Sequence, residues 1–321
     1  MQEGRLGQGG QIQLKEPLDT WNPQVVGSSA RVFLGEVQPL EGIASRVAIK
    51  VMRPDEKRYA APLFREEVRI LYLLKDVPGV MRMKEMGFVY LDAPHQMPPD
   101  TDNKGGERLS GRLYRYTPDE TEQFLRDFDN HVRKGGLPYI GARRVYSEDN
   151  LWKHCDRFVN RGYLLPLADG LRIAYHALGI LEAAHQRGVI YRDHKIVHYY
   201  WHYDAKWMAV PVTIIDWNAG KYYPDGLSED ERRWDVVLFA VNTLYYMLAG
   251  ERHPRGFTVG PLRIEEIAGA GERFRMEWNG HRPLPKSVIE LLEKALNGEY
   301  RTAAALQQEI GTLLEALQAS A

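Results

Sequence analysis

The order of patterns along these residues predicts an α+β protein of two lobes, an antiparallel sheet first and a mainly helical part after it. Three observations carry that expectation. Alternating, β-branched residues dominate from 25 to 53, whereas apolar residues at helical spacing dominate from 171 onward. The chain has 321 residues and 44% hydrophobic content, enough for a large core or for two lobes around a cleft.

The elements follow in order. Residues 1–20 are rich in Gly and Gln and read as a loose leader. VVGSSARVFLGEV and RVAIKVMR, on either side of a turn region at 38–45, read as antiparallel strands. YAAPLFREEVRILYLLK at 59–75 spaces its apolar residues as a helix does, and 80–91 returns to strand. Residues 92–112 carry Pro, Asp, Gly and Lys with few large apolar side chains, which predicts a loop. TPDE at 117–120 is a cap-like start for a polar helix over 117–134.

GYLLPL at 162–167 reads as a short apolar strand. Helices are then expected at 171–187, 229–250, 286–297 and 302–319. A strand pair at 196–201 and 210–216 flanks the hydrophilic turn HYDAKW. The last helix carries Leu306, Ile310, Leu313, Leu314 and Leu317, and is expected to pack as a closing helix rather than serve a partner.

Composition excludes several classes. The formal net charge of −1 points to neither nucleic acid nor an anionic membrane, and the basic pairs Arg143-Arg144 and Arg232-Arg233 are too short to track phosphates. A single cysteine, Cys155, rules out an internal disulfide and any Cys-based zinc cage, which fits a reducing cytoplasm. The first thirty residues lack the apolar core of a signal peptide, and no apolar run reaches spanning length. The stretch 236–248 includes Asn242 and reads as a buried helix. His154, Cys155 and Asp156 are adjacent, but read as scattered polar residues rather than a metal site.

The chemistry-bearing motifs begin with Val47-Ala48-Ile49-Lys50 on a predicted strand, behind small residues at 27–30. Seventeen residues on, Glu67 lies in the first helix and can reach back to Lys50, with Glu66 as a rival. Ile190-Tyr191-Arg192-Asp193-His194-Lys195 follows a helix ending AAHQRGV. Thr213-Ile214-Ile215-Asp216-Trp217-Asn218, Trp234-Asp235-Val236-Val237-Leu238-Phe239-Ala240 and Arg301-Thr302-Ala303-Ala304 come in that order beyond it.

Together these resemble the protein kinase superfamily, over roughly residues 22–315: the strand lysine, the helix glutamate, the His-Arg-Asp loop, the Asp-Phe-Gly segment, the long buried helix and the late arginine turn. The resemblance implies a bilobal fold. Residues 21–168 would form the N-lobe, with a large insertion at about 92–160 that contacts substrate or a partner, and residues 169–321 the C-lobe.

It also implies roles. Asp193 would accept or orient the substrate hydroxyl, Lys195 would neutralise the transferring phosphoryl group, and Lys50, held by Glu67, would bridge phosphates of ATP. Asp216 would ligate Mg²⁺. Gly27, Ser28 and Ser29 would approach the phosphates, while Val32 and Ala48 would roof the adenine. Leu165 matches the gatekeeper, Pro166–Ala168 match the hinge, and Tyr200 falls where the base is floored. Leu71, Met83, Tyr191, Trp217 and Asp235 match a stacked spine.

The pattern is not kept throughout. Val25, Gly27 and Ala30 occupy the three glycine positions of the phosphate loop, so a plain edge hairpin is the alternative there. His198 stands where an asparagine would ligate a second metal. That leaves Mn²⁺ preference, a single metal or lost catalysis as alternatives. The segment between Asp216 and Asp235 is short and lacks Ala-Pro-Glu, which removes the usual peptide platform. The expected function is a Ser/Thr-type protein kinase using Mg-ATP on a protein substrate. A nucleotide-binding signalling scaffold and a small-molecule kinase stand as alternatives.

Overall fold

The computed structural model of the chain describes residues 9–18, 30–39, 45–54, 57–92, 109–202, 210–250 and 284–319. The protein is α+β, and it divides into two compact units. One is formed by Met1–Lys75 with Met81–Val145, the other by Asp76–Val80 with Tyr146–Ala321.

The first unit is a closed barrel of six antiparallel strands with two helices against it. In chain order these are β1 (Gly9–Pro17), β2 (Ala30–Pro39), β3 (Ser45–Met52), α1 (Lys57–Leu73), β4 (Met83–Leu91), β5 (Leu109–Tyr116), α2 (Thr121–Arg133) and β6 (Leu137–Ala142). Around the barrel the strands run β1-β2-β3-β6-β4-β5, and β5 pairs back onto β1. Closure leaves no strand edge in this sheet without a neighbour.

Register and alternation place Phe33, Val47, Ile49, Val51, Tyr139 and Leu113 on one face of the sheet, all buried. Two glycines on that same face make room. A Cβ on Gly35 would sit 2.1 Å from Ile49 Cδ1, and one on Gly141 would sit 2.7 Å from Glu85 Cγ. The face also holds a polar group: Glu85 accepts from Arg115 Nε at 2.9 Å and from the Tyr139 hydroxyl at 3.4 Å. Every residue of β6 is buried, because α1 and α2 pack on its other side.

The second unit is mainly helical. It comprises α3 (Leu151–Val159), α4 (Leu167–His185), β7 (Val189–Ile190), β8 (Tyr199–Trp201), β9 (Val212–Ile214), β10 (Lys221–Tyr222), α5 (Glu229–Phe239), α6 (Tyr245–Ala249), α7 (Lys286–Leu296) and α8 (Ala303–Ala319). The strands pair as β7 with β10 and β8 with β9. Helix α4 is buried on most of its circumference, as its Leu, Ile and Ala content demands. Helix α8 packs against it, with Gln307 Nε2 donating to the Tyr175 carbonyl at 2.9 Å. The closing-helix expectation for this segment therefore holds.

Helix α5 opens with a capping box, Ser228 and Glu231 each bonding the other's backbone N–H, and with Glu229 and Asp230 at the positive end of the dipole. Between α5 and α6 the chain widens into a π turn, Ala240–Leu244, without leaving the helical path. No helix among the described residues is long and apolar enough to cross a membrane.

Several expectations change. Residues 9–17 are not a loose leader but strand β1. Of the loop expected at 92–112, residues 93–108 lie outside the described residues, and 109–112 belong to β5. The span 92–160 is not one insertion: it supplies two barrel strands and α2 to the first unit, and α3 to the second. GYLLPL is not a strand either. Pro166 caps α4, where its fixed φ and missing N–H suit a helix start. The strand beside the Lys50 strand is instead β6, and the division between units falls after Val145 rather than after 168.

Candidate functional site

In the first unit, Lys50 sits mid-way along β3, opposite Val32 of β2 and Ile140 of β6. Val32, Ala48 and Lys50 are partly exposed while Val47, Ile49 and Val51 are buried, so the alternation puts these three predicted residues on one face. Lys50 Nζ donates to both carboxylate oxygens of Glu67, at 3.0 and 2.8 Å. Glu67 is fully buried on α1, and the Phe64 ring lies 5.8 Å from the ammonium. The rival Glu66 turns outward and pairs with Arg69 at 2.9 Å. Gly27, Ser28 and Ser29 lie outside the described residues.

In the second unit, the segment after β7 folds around one buried carboxylate. Asp235 of α5 accepts from the Tyr191 and Arg192 backbone N–H groups at 3.0 and 2.8 Å. It also takes His185 Nε2 and His194 Nε2, each at 2.9 Å. Burial opposes the ionised form of Asp235. The His194 and His185 imidazoles outweigh it and hold the carboxyl well below the usual carboxylate range. Thr243, brought inward by the π turn, donates to the His194 carbonyl at 2.8 Å.

These bonds hold Arg192 at φ 70°, in the left-handed region that non-glycine residues rarely enter. Asp216 stands at φ 59°. Such conformations cost about 1–3 kcal/mol each and persist where the surroundings over-determine them. Here the four-fold clamp of Asp235 does so for Arg192. The turn re-aims the chain so that Asp193 emerges partly exposed beyond a fully buried Tyr191.

Four predicted residues meet at this point. Lys195 Nζ bonds Asp193 Oδ2 at 3.0 Å. His198 is buried at the end of a short 3₁₀ turn, with Nδ1 3.8 Å from Asp193 Oδ2 and Nε2 3.4 Å from Asp216 Oδ2. One ligand atom each from Asp193, His198 and Asp216 can lie within 4.8 Å of one another, a donor set with the span and composition to hold a divalent cation. The backbone knits the same group, with Ile215 N–H donating to the His198 carbonyl at 3.0 Å. Trp217, fully buried, meets Tyr191 ring to ring at 4.7 Å and donates to the Ile214 carbonyl at 3.2 Å.

The remaining assignments fare differently. Leu165 is buried, and Pro166 and Ala168 stand at the start of α4. The gatekeeper and hinge roles rested on a strand that is not there, so they do not carry over. Tyr200 is buried in β8, opposite Thr213, and burial raises its hydroxyl pKa. Arg301 pairs with Glu229 at 3.1 Å, tying the start of α8 to α5. His154 and Cys155 belong to no metal-ligand cluster found among the described residues, and the buried Cys155 thiol is pushed up to about 12.

Sequence reasoning missed His185, His194 and Thr243 as supports of the loop. The usable signal was that His194 follows Asp193 directly and that His185 closes α4 four residues before β7 begins. The first-unit pair Glu85 and Arg115 was also missed, because an ion pair between two neighbouring strands far apart in sequence has no local spacing. No protein-family model matches the chain, and no curated protein matches it.

Proposed function

We propose that the chain is an ATP-dependent phosphotransferase of the Ser/Thr protein kinase type, working as a bilobal enzyme on a protein hydroxyl. The observation that carries the reading is the convergence of Asp193, Lys195, His198 and Asp216 on one spot. The Lys50–Glu67 pair supports it, since a partly exposed lysine held by a fully buried carboxylate is suited to engaging phosphate rather than to sheet stability alone.

In this reading Asp193 accepts the proton of the substrate hydroxyl as that oxygen bonds to the γ-phosphorus and the bond to ADP breaks. Lys195 faces the transferring group and offsets its charge. Lys50, steadied by Glu67, holds the phosphates in place. Asp216 and His198 would hold a divalent cation, Mg²⁺ or Mn²⁺, which when bound neutralises phosphate charge. Positioning and charge compensation are most of what phosphoryl transfer requires.

The test is transfer from γ-labelled ATP with Mg²⁺ and with Mn²⁺, comparing the chain with Asp193→Asn. Label on the protein or on an added substrate, reduced on the order of 10²–10⁴-fold in the variant, is the expected result. One observation favours a second reading, a nucleotide-binding scaffold: the His198 ring lies against both carboxylates, where it would pair with them if protonated. ATP binding without label in either metal would decide for the scaffold.

A further inference from the structure

The hydrogen bonds of His198 decide which ring nitrogen carries its proton. Nδ1 lies 3.0 Å from the Asp193 backbone oxygen and 3.1 Å from the Tyr191 hydroxyl. A carbonyl oxygen only accepts, so Nδ1 is the N–H. The Tyr191 hydroxyl donates its single hydrogen to the Ile215 carbonyl at 2.6 Å, which leaves its oxygen as a second acceptor for the same N–H.

In the neutral ring, Nε2 then keeps its lone pair, and that atom faces Asp216 Oδ2 at 3.4 Å. The His198 side chain is only 7% exposed, so the ring is set by its neighbours and not by solvent. A ring nitrogen fixed by an outer hydrogen bond, with its other nitrogen aimed at a carboxylate, is how metal-binding histidines are arranged.

We infer that His198 is a nitrogen ligand built into this site, with Tyr191 as its positioning residue, so that the site selects a divalent transition ion, Mn²⁺ included, over Mg²⁺. Mg²⁺ favours all-oxygen octahedral sites and sheds water reluctantly, whereas imidazole nitrogen suits the first-row transition ions. The use made of the ion rests on the phosphotransferase reading. The ligand assignment does not.

The experiment is a titration of the full chain with Mn²⁺ and, separately, with Mg²⁺, the Mn²⁺-bound form being read by pulsed electron paramagnetic resonance for coupling to a directly bound ¹⁴N. Wild type is expected to show that coupling and to bind Mn²⁺ more tightly than Mg²⁺. His198→Asn should lose the coupling and the preference, while Tyr191→Phe should keep the coupling but weaken Mn²⁺ binding on the order of 10–100-fold. Bound Mn²⁺ without nitrogen coupling in wild type, or no Mn²⁺ binding at all, overturns the inference, and neither readout depends on a variant folding. Nitrogen coupling without phosphate transfer would support the ligand assignment and remove the kinase reading, whereas transfer without coupling would do the reverse.

Discussion

His194, the residue after Asp193, donates Nε2 to Asp235 Oδ1 at 2.9 Å with both side chains completely buried. The contact ties the segment bearing Asp193 to α5, and Asp235 completes the tie through the Tyr191 and Arg192 backbone. Replacing Asp235 by Ala leaves two N–H groups and two imidazoles without their acceptor. Removing one partner of a buried charged network costs about 3–5 kcal/mol, and the expected outcome is a loss of that size in urea unfolding. Asp235→Asn retains one acceptor oxygen and should lose less.

The same carboxylate sets an acid dependence. Its folded pKa is depressed, so the stabilisation is fully present above the unfolded value of about 3.9 and is lost as pH falls through the folded value. The stability gap between wild type and Asp235→Asn should therefore be constant from pH 5 to 7 and narrow below about pH 4. Urea midpoints at pH 3 and pH 7 measure it; a gap that widens at pH 3 would contradict the assignment.

Lys50→Met strips the ammonium from a carboxylate that is fully buried, whereas Lys50 itself keeps 12% of its side-chain surface exposed. The expected destabilisation is about 3 kcal/mol. Lys50→Met with Glu67→Leu should be less destabilised than the two single changes added together, with a coupling of about 0.5–3 kcal/mol in a double-mutant cycle. Additivity would mean that the pair contributes nothing as a pair.

His131 of α2 stacks on Phe88 at 4.3 Å and takes a hydrogen bond from the Tyr90 hydroxyl at Nδ1, 2.9 Å away. Burial, aided by Lys134 and opposed by Asp127, lowers its pKa. The unfolded chain then binds the proton more readily, so stability falls as pH drops below about 6.5 towards the folded value. His131→Phe should flatten that fall without abolishing it, because burial also lowers His154 and His176. Thermal midpoints between pH 5 and 7.5 provide the check.

The Cys155 thiol, buried on α3 and pushed up to about 12, is almost wholly protonated at pH 8. A disulfide reagent should label it only as α3 opens, with a rate that rises steeply in sub-denaturing urea. Fast labelling in native buffer would place α3 in an open state.

Local chemistry made much of the fold legible. The alternation around Lys50, the 3.6-residue period around Glu67 and the cap-like start at Thr117 specify elements through contacts within a few residues. The ordering of Lys50, Glu67, Asp193, Lys195 and Asp216 along the chain was visible for the same reason. GYLLPL failed because a short apolar run does not tell a strand from a buried helix start, and LPYIGA at 137–142, the real strand, stood hidden behind a polar helix.

Only tertiary structure decided what depends on distant residues meeting. Barrel closure brings Leu14 of β1 beside Leu109 of β5, a pairing that carries no spacing signal. Glu67 was separated from Glu66 by which side of α1 faces Lys50. The proton position on His198 is set by Tyr191, Asp193 and, through the tyrosine hydroxyl, Ile215. Sequence patterns encode propensity and period over one or two turns, whereas burial, register and hydrogen-bond partners are settled by packing, where each group's neighbours come from other parts of the chain.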